Sequence, residues 1–166
     1  DAAPEGAVWS LGRDEPLLRG IHVGNGLAVT EAGTSLIVSD SAPNVQAIWC
    51  CDYDPGTGQA GPMRRWIDFK PLPGRPDGAT MDSDGGYWIA CIDGGCVLRF
   101  LPDGTVDAQV RLPAAKPTKP CFGGPDLSTM YVTTATADGS DGGLYEVELP
   151  WSGQKPVPVK LADHLR

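Results

Sequence analysis

Four segments of the chain repeat one pattern, in which a short apolar strand is followed by a turn and a second strand. The segments start at Gly6, Gln46, Gly95 and Gly143. Their apolar anchors lie 40, 49 and 47 residues apart, at Val8, Ile48, Val97 and Leu144. The turns contain the residues that tight turns need, as in Asp54-Pro55-Gly56. The pattern therefore predicts four β-hairpins that recur along the chain.

A second type of hairpin lies between these copies. Its three copies read NGLAVTEAGTSLIVSDS, DGATMDSDGGYWIACID and PCFGGPDLSTMYVTTAT. Each has a short strand, a turn with Glu or Asp, and a second strand rich in residues that strands prefer. No segment has a sustained helical period with caps. Four strands in every 40 to 50 residues predict an all-β fold, a β-propeller. A β-sandwich, the alternative, would not require two alternating hairpin types at this period.

Counting the hairpins gives about three and a half four-stranded blades. The predicted boundaries are residues 1–20 for the half blade, and 21–70, 71–115 and 116–166 for the full blades. Propellers close their ring with roughly four to eight blades, so we expect this chain to be the C-terminal portion of a single, longer propeller domain. An unclosed ring exposes apolar blade faces and strand edges. We therefore expect a partner, either the missing N-terminal half or another copy of the chain.

Charge and cysteine content narrow the class of protein. The net charge is −8 and the isoelectric point about 4.6, so neither nucleic acid nor an anionic membrane is an expected partner. The cysteines are odd in number and lack zinc-ligand spacing: Cys50, Cys51, Cys91, Cys96 and Cys121. Each lies in or beside an apolar run, which favours buried free thiols in a cytoplasmic protein.

A propeller brings the starts of its innermost strands together on one axis. These starts are Gly24-Asn25-Gly26, Pro76-Asp77-Gly78 and Thr118-Lys119-Pro120. Asn25 and Asp77 occupy the same place in the repeat, and both offer oxygen ligands that Ca²⁺ or Mg²⁺ prefers and that also suit Zn²⁺ or Mn²⁺. Asn-Gly and Asp-Gly are also ordinary turn pairs. Their equivalent positions make the two residues together, more than either alone, a candidate metal site.

Two residues near Asn25 are weaker candidates. His22 could face the axis beside Asn25. Asp40, in VSDS, ends a strand, where an aspartate most often caps a turn, although it could also support a metal ligand. The neighbouring Ser39 and Ser41 have no G-x-S-x-G context, so a serine hydrolase is not supported.

Several longer motifs run through the chain in a fixed order. They are NGLAV…SLIVSDS (25–41), YDPGTG (53–58), RPDGATMDSDGGYWIA (75–90), GGCVLRFLPDG (94–104) and CFGGPDLSTMYVTTA (121–135). In these motifs the chain resembles the SMP-30/gluconolactonase/regucalcin (LRE-like) family of six-bladed β-propellers. The combination of FGGPDL–YVT with PDG–D–G–W is specific, and the motifs cover nearly the whole chain.

The resemblance implies metal-dependent hydrolysis of lactones, typically lactones of sugar acids, with a small-molecule lactone as substrate. In that family one divalent metal on the axis is held by a glutamate of the first blade, an asparagine and an aspartate. The asparagine corresponds to Asn25 and the aspartate to Asp77. The family's aspartate also serves as general base, so the resemblance implies a catalytic role for Asp77. The implied cofactor is one divalent metal ion (Ca²⁺, Zn²⁺, Mg²⁺ or Mn²⁺), which polarises the lactone carbonyl as a Lewis acid.

One part of the family's site has no counterpart in this sequence. The glutamate ligand, and the arginine and asparagine that hold substrate hydroxyls, belong to an N-terminal half. We therefore expect the intact parent to be a lactonase and this chain alone to be inactive. A non-enzymatic calcium-binding propeller and an interaction scaffold with a degenerate site are the alternatives. Asn25 and Asp77 favour the first two functions over the third.

Overall fold

The computed structural model describes residues 3–136 and 142–156, and within these ranges the chain forms fourteen β-strands. The strands are β1 (Gly6–Val8), β2 (Leu18–Ile21), β3 (Gly24–Val29), β4 (Ser35–Asp40), β5 (Ala47–Asp54), β6 (Gln59–Ala60), β7 (Arg64–Asp68), β8 (Arg75–Met81), β9 (Tyr87–Ile92), β10 (Cys96–Phe100), β11 (Val106–Arg111), β12 (Pro117–Gly123), β13 (Thr129–Thr134) and β14 (Leu144–Glu148). None of the described residues is helical. Accordingly, no helix of sufficient length and apolarity to cross a membrane is found among them.

Four antiparallel sheets follow one another along the chain. β1 and β2 form a two-stranded sheet, and β3-β4-β5-β7 form a four-stranded sheet with β6 paired to the end of β5. β8-β9-β10-β11 form the next four-stranded sheet, and β12-β13-β14 the last. Strands that are neighbours in sequence are neighbours in each sheet, as in propeller blades. The prediction of an all-β propeller is thus confirmed. The predicted fourth strand of the last blade falls largely on residues 157–166, outside the described ranges.

Strands β9 and β10 show why the sheets stack face to face. Tyr87 and Ile89 of β9 lie in the core shared with the β3–β7 sheet, whereas Trp88 lies in the core shared with β12–β14. On β10, Leu98 lies in the core shared with the β3–β7 sheet and Val97 in the core shared with β12–β14. Successive side chains of a strand point to opposite faces, so a strand that is apolar throughout is buried on both faces. A central blade therefore has a core on each side.

A buried carboxylate closes the β8–β9 hairpin. Asp82 is fully buried, and its Oδ1 accepts the backbone N–H of Gly86 at 2.7 Å. Its Oδ2 accepts hydrogen bonds from Trp88 Nε1 at 2.8 Å and from Arg99 Nε at 2.6 Å. The Arg99 guanidinium carbon lies 4.7 Å from the ring centroid of Trp151, which follows β14. One ion pair therefore connects three strands of a central blade to the last blade.

The five cysteines are free thiols. Cys51, Cys91 and Cys96 are buried, and Cys50 is partly buried. Cys121 is exposed, because it takes one of the outward-facing positions along β12. The prediction of buried thiols is therefore right for three of the five and wrong for Cys121.

Candidate functional site

The innermost strands of the three full blades, β3, β8 and β12, approach one another closely near their first residues. A side chain on Gly26 would come within 3.1 Å of the Asp77 carbonyl oxygen, and one on Gly78 within 2.6 Å of the Thr118 carbonyl oxygen. Gly26 also has a positive φ of 55°. Glycine at these two positions therefore permits the contact between neighbouring blades, a role beyond that of an ordinary turn residue.

Each innermost strand has a register shift in this region. The shifts lie between Asn25 and Ala28 in β3, between Pro76 and Ala79 in β8, and between Pro117 and Lys119 in β12. A β-bulge re-aims side chains out of the regular pleat, and bulges are common beside functional sites. The Tyr87 hydroxyl, from β9, donates to the Gly26 carbonyl oxygen at 2.7 Å and holds the first bulge in place. The sequence repeat thus corresponds to a repeated distortion of the backbone.

Asn25 has its side-chain amide oriented by a serine of the next strand. Its Nδ2 donates to Ser41 Oγ at 2.9 Å, and Ser41 Oγ donates in turn to the Pro76 carbonyl oxygen at 2.5 Å. This relay joins β3 to the residue that precedes Asp77. Because the amide nitrogen is engaged, the Asn25 Oδ1 is left as the atom that can accept from or ligate another group.

Asp77 is a partly buried carboxylate without a protein donor. Among the described residues, no side chain or backbone N–H donates a hydrogen bond to it. Desolvation raises the pKa of Asp77, and the positive charge of Arg75 opposes that rise. Arg75 itself pairs with Asp93 at 2.9 Å. A carboxylate that has lost part of its hydration without gaining a hydrogen bond is suited to a cation as its partner.

A cavity of about 530 Å³ opens beside these strands. Its inner wall consists of Asn25, Gly26, Leu27, Gly78, Ala79 and Lys119, and residues of β1 together with Trp9 line another side. Within the described part of the chain, Lys119 is the one charged side chain in this lining. The lining of the cavity therefore contains one candidate ligand, Asn25, and one positive charge, that of Lys119.

The donor set of the two candidate residues matches a hard divalent cation. The Asn25 amide oxygen and the Asp77 carboxylate are both hard oxygen donors, and neither oxygen is engaged by another described residue. No group of three His, Cys, Asp or Glu side chains that could enclose a metal occurs in residues 3–136 and 142–156. The chain thus offers one amide and one carboxylate ligand, and Ca²⁺ or Mg²⁺ would need further oxygen ligands from elsewhere.

His22 and Asp40 contact each other rather than the candidate ligands. The Asp40 carboxylate accepts the backbone N–H groups of His22, Val23 and Ala42 at 2.8 to 3.0 Å, and His22 Nδ1 lies 3.3 Å away. Burial by itself would raise the pKa of Asp40, but these hydrogen bonds outweigh it and the pKa is lowered. Asp40 therefore caps the turn that leads into β3, and His22 packs beside that cap.

Comparison with known proteins assigns the chain to one family. The model of the family described as "SMP-30/Gluconolactonase/LRE-like region" matches residues 3–136. The chain belongs to this family. It is 36% identical to pentonolactonase XacC of Haloferax volcanii over 120 residues. This alignment covers 72% of this chain and 40% of that protein. It is 40% identical over 121 residues to 6-deoxy-6-sulfogluconolactonase of Pseudomonas putida, with the same 72% and 40% coverage.

A solved SMP-30 family structure has the same arrangement of strands. The chain superposes on a calcium-binding protein, regucalcin, from Agrobacterium tumefaciens with a TM-score of 0.81 and 26% identity. The match covers 92% of this chain and 55% of that structure. The chain thus spans about half, or less, of the length of these relatives. The relatives named as lactonases support hydrolysis of lactones as a function of the family.

Two residues beside the candidate ligands, Ser41 and Lys119, were not predicted as functional from the sequence. Ser41 follows Asp40 at the end of β4, and its sequence context argues only against a serine hydrolase. The signal that could have found it is the pairing of Asn25 with Ser39, which brings the end of β4 beside the start of β3. Lys119 lies at the start of the third innermost strand. Its position in the repeat, equivalent to those of Asn25 and Asp77, is the sequence feature that could have identified it.

Proposed function

We propose that the intact protein to which this chain belongs hydrolyses lactones of sugar acids and uses one divalent metal ion held in part by Asn25 and Asp77. The observation that carries the proposal is that the two residues stand near the starts of adjacent innermost strands that contact each other. Asn25 lies at the edge of the register shift in β3 and Asp77 within the shift in β8, and Ser41 links these two strands. Both side chains keep an oxygen available for a ligand. That these oxygens come within reach of one ion, roughly 5 Å apart or less, is a prediction.

In the proposed reaction Asp77 acts as the general base. It accepts a proton from the water that attacks the lactone carbonyl carbon, the ring C–O bond breaks, and the proton passes to the departing alkoxide to give a hydroxy acid. Desolvation, which raises the pKa of Asp77, makes it a stronger proton acceptor than a hydrated aspartate. The metal, when bound, would supply polarisation of the lactone carbonyl. Ser41 would keep the Asn25 oxygen turned toward the site.

Calcium binding without catalysis is the second candidate function, because the solved relative is described as a calcium-binding protein. Initial rates of gluconolactone and pentonolactone hydrolysis by the intact protein distinguish the two functions. We expect turnover that disappears after chelation and returns when Ca²⁺, Zn²⁺, Mg²⁺ or Mn²⁺ is added. Stoichiometric Ca²⁺ binding without turnover of any lactone would establish the second function instead.

We further propose that this chain needs the remaining blades of the propeller, or another copy of itself, as a partner. Apolar side chains are exposed on β3 and in the residues after β1: Trp9 is 60% exposed, Leu11 79%, Leu27 50% and Val29 42%. Apolar patches of this kind indicate a surface that another protein covers.

Sedimentation measures this prediction directly. We expect the chain alone to associate with itself as its concentration rises, and to form a one-to-one complex when it is produced together with the N-terminal blades. Lactone turnover should appear only in that complex. A chain that sediments as a monomer over a wide concentration range and does not bind the N-terminal blades would contradict the proposal.

Ser41 offers a test of the ligand geometry that does not remove a ligand. Ser41→Ala deletes the acceptor of the Asn25 amide, and loss of a group that orients a metal ligand typically costs about 10-fold or more in metal affinity. Ser39→Ala is the matched control, because its Oγ is buried two residues away on the same strand and has no hydrogen-bond partner among the described residues. Titration calorimetry with Ca²⁺ and Mn²⁺ measures both. Equal affinity in the two variants would show that Ser41 does not orient Asn25.

A further inference from the structure

Lys119 occupies, in β12, the place that Asn25 and Asp77 occupy in β3 and β8. Its side chain does not follow its own blade but crosses to the neighbouring one, where the ammonium group donates to the Ala79 carbonyl oxygen. Ala79 lines the same cavity as Asn25. Two of the three equivalent positions, Asn25 and Lys119, therefore line this cavity, and the third, Asp77, directly precedes Gly78, which also lines it.

Gly78 makes the crossing possible. A Cβ at this position would lie 2.6 Å from Lys119 Cδ and 3.1 Å from Lys119 Cα. Any residue with a side chain would therefore displace Lys119 from its path across β8. The glycine directly after Asp77 thus serves two purposes, close packing of β12 against β8 and passage of the lysine side chain.

The ammonium group has hydrogen-bonding capacity to spare. An ammonium has three donors, and Ala79 takes one of them. No carboxylate among the described residues lies within ion-pair distance of it. Partial desolvation lowers the pKa of Lys119, although the residue as a whole is exposed. The net charge is −8, yet the cation in the lining of this cavity has no carboxylate partner in residues 3–136 and 142–156.

The spacing fits a substituent of a sugar lactone. Ala79 lies two residues beyond Asp77 on β8, which is at most about 7 Å along the chain in this bulged segment. An anionic group at the far end of a six-carbon lactone lies at a comparable distance from the carbonyl carbon at which hydrolysis takes place. A neutral hydroxymethyl group at that end would leave the ammonium without a charged partner.

We propose that Lys119 is a specificity-determining residue that binds an anionic substituent of the substrate, a phosphate, sulfonate or carboxylate carried at the end of the lactone remote from the reacting carbonyl. This inference rests on the proposed lactonase function. An ammonium without a protein counter-ion binds such a group by charge-assisted hydrogen bonds, which are roughly twice as strong as neutral ones. The names of the relatives do not decide the matter, because they cover lactones with and without an anionic group.

The test compares anionic and neutral lactones in the intact protein. The substrates are gluconolactone, its 6-phosphate, its 6-deoxy-6-sulfonate and glucarolactone, which carries a carboxylate. We expect the ratio of kcat/KM for the preferred anionic lactone to that for gluconolactone to fall about 10- to 100-fold in Lys119→Met, mainly through KM. Lys119→Arg should keep most of the ratio, and Lys70→Met, at an exposed lysine, should keep all of it. The three anionic substrates show which anion is preferred.

Each result decides one of the two proposals. A ratio that is the same in Lys119→Met and the unmodified protein overturns the role of Lys119, since a purely structural lysine would affect all four lactones alike. If the unmodified protein hydrolyses none of the lactones, the proposed function is wrong, and calorimetric titration with 6-phosphogluconate then tests Lys119 separately. Binding that is lost in Lys119→Met supports the anion site, whereas absent or unchanged binding overturns it.

Discussion

Replacing Asp77 by alanine is expected to lower the rate of metal-dependent lactone hydrolysis by the intact protein about 10³-fold or more, because one change removes both the general base and the charged metal ligand. The fold should survive the change, since no described residue donates a hydrogen bond to the carboxylate. Initial rates measured with and without added metal give the loss. Asp84→Ala is the matched control, because Asp84 is exposed in the turn after the same strand.

Two further substitutions separate the roles combined in Asp77. Asp77→Asn keeps an oxygen ligand but cannot accept the proton, so metal binding should weaken while turnover is lost. Asn25→Ala removes a neutral ligand that water can replace, so its metal affinity and rate should fall less than those of Asp77→Ala. Full activity in Asp77→Ala, with a folded protein confirmed by circular dichroism, would mean that the assigned base and ligand are wrong.

The sequence allows the strands and the candidate ligands to be predicted because both depend on local patterns. The strand-forming residues of β8–β9 and β10–β11, and the Asp and Gly residues of their turns, are sufficient to predict these two hairpins. Asn25 and Asp77 stand out because the repeat places them at equivalent positions. Nothing more than residue type and spacing is needed for either prediction.

Ser41 and Lys119 could not be assigned in the same way, because their partners lie on another blade. Ser41 donates to the carbonyl of Pro76, 35 residues away, and Lys119 donates to that of Ala79, 40 residues away. Both acceptors are backbone atoms that a sequence motif does not mark. Which side chain reaches them depends on how closely adjacent blades pack, and glycines set that distance at two points. The exposed Cys121 illustrates the same limit, since an apolar neighbourhood in sequence does not determine which face of a strand is covered.

Replacing Asp82 by alanine is expected to have the largest effect on folding, a loss of about 3 to 5 kcal/mol in the free energy of unfolding. The substitution removes the carboxylate that Arg99 Nε contacts at 2.6 Å and leaves Asp107 as the remaining carboxylate partner of the buried guanidinium. It also removes the acceptor of Trp88 Nε1. Urea unfolding of the intact protein measures the loss, and the exposed Asp84→Ala variant should stay within about 0.5 kcal/mol of the unmodified protein.

A double-mutant cycle shows whether the ion pair or the desolvated arginine accounts for this loss. If the loss of one of the two carboxylate partners of Arg99 is the cause, Arg99→Met in the Asp82→Ala background should restore part of the stability, because replacement of a buried pair by apolar groups is often close to neutral. Additive losses from the two substitutions would instead mean that Asp82 acts mainly through its bonds to Gly86 and Trp88. The result bears on the site, since Asp82 directly follows β8, the strand whose first residues include Asp77. A blade that opens at this hairpin would release the strand that positions the proposed general base, so activity should fall as the folded fraction falls.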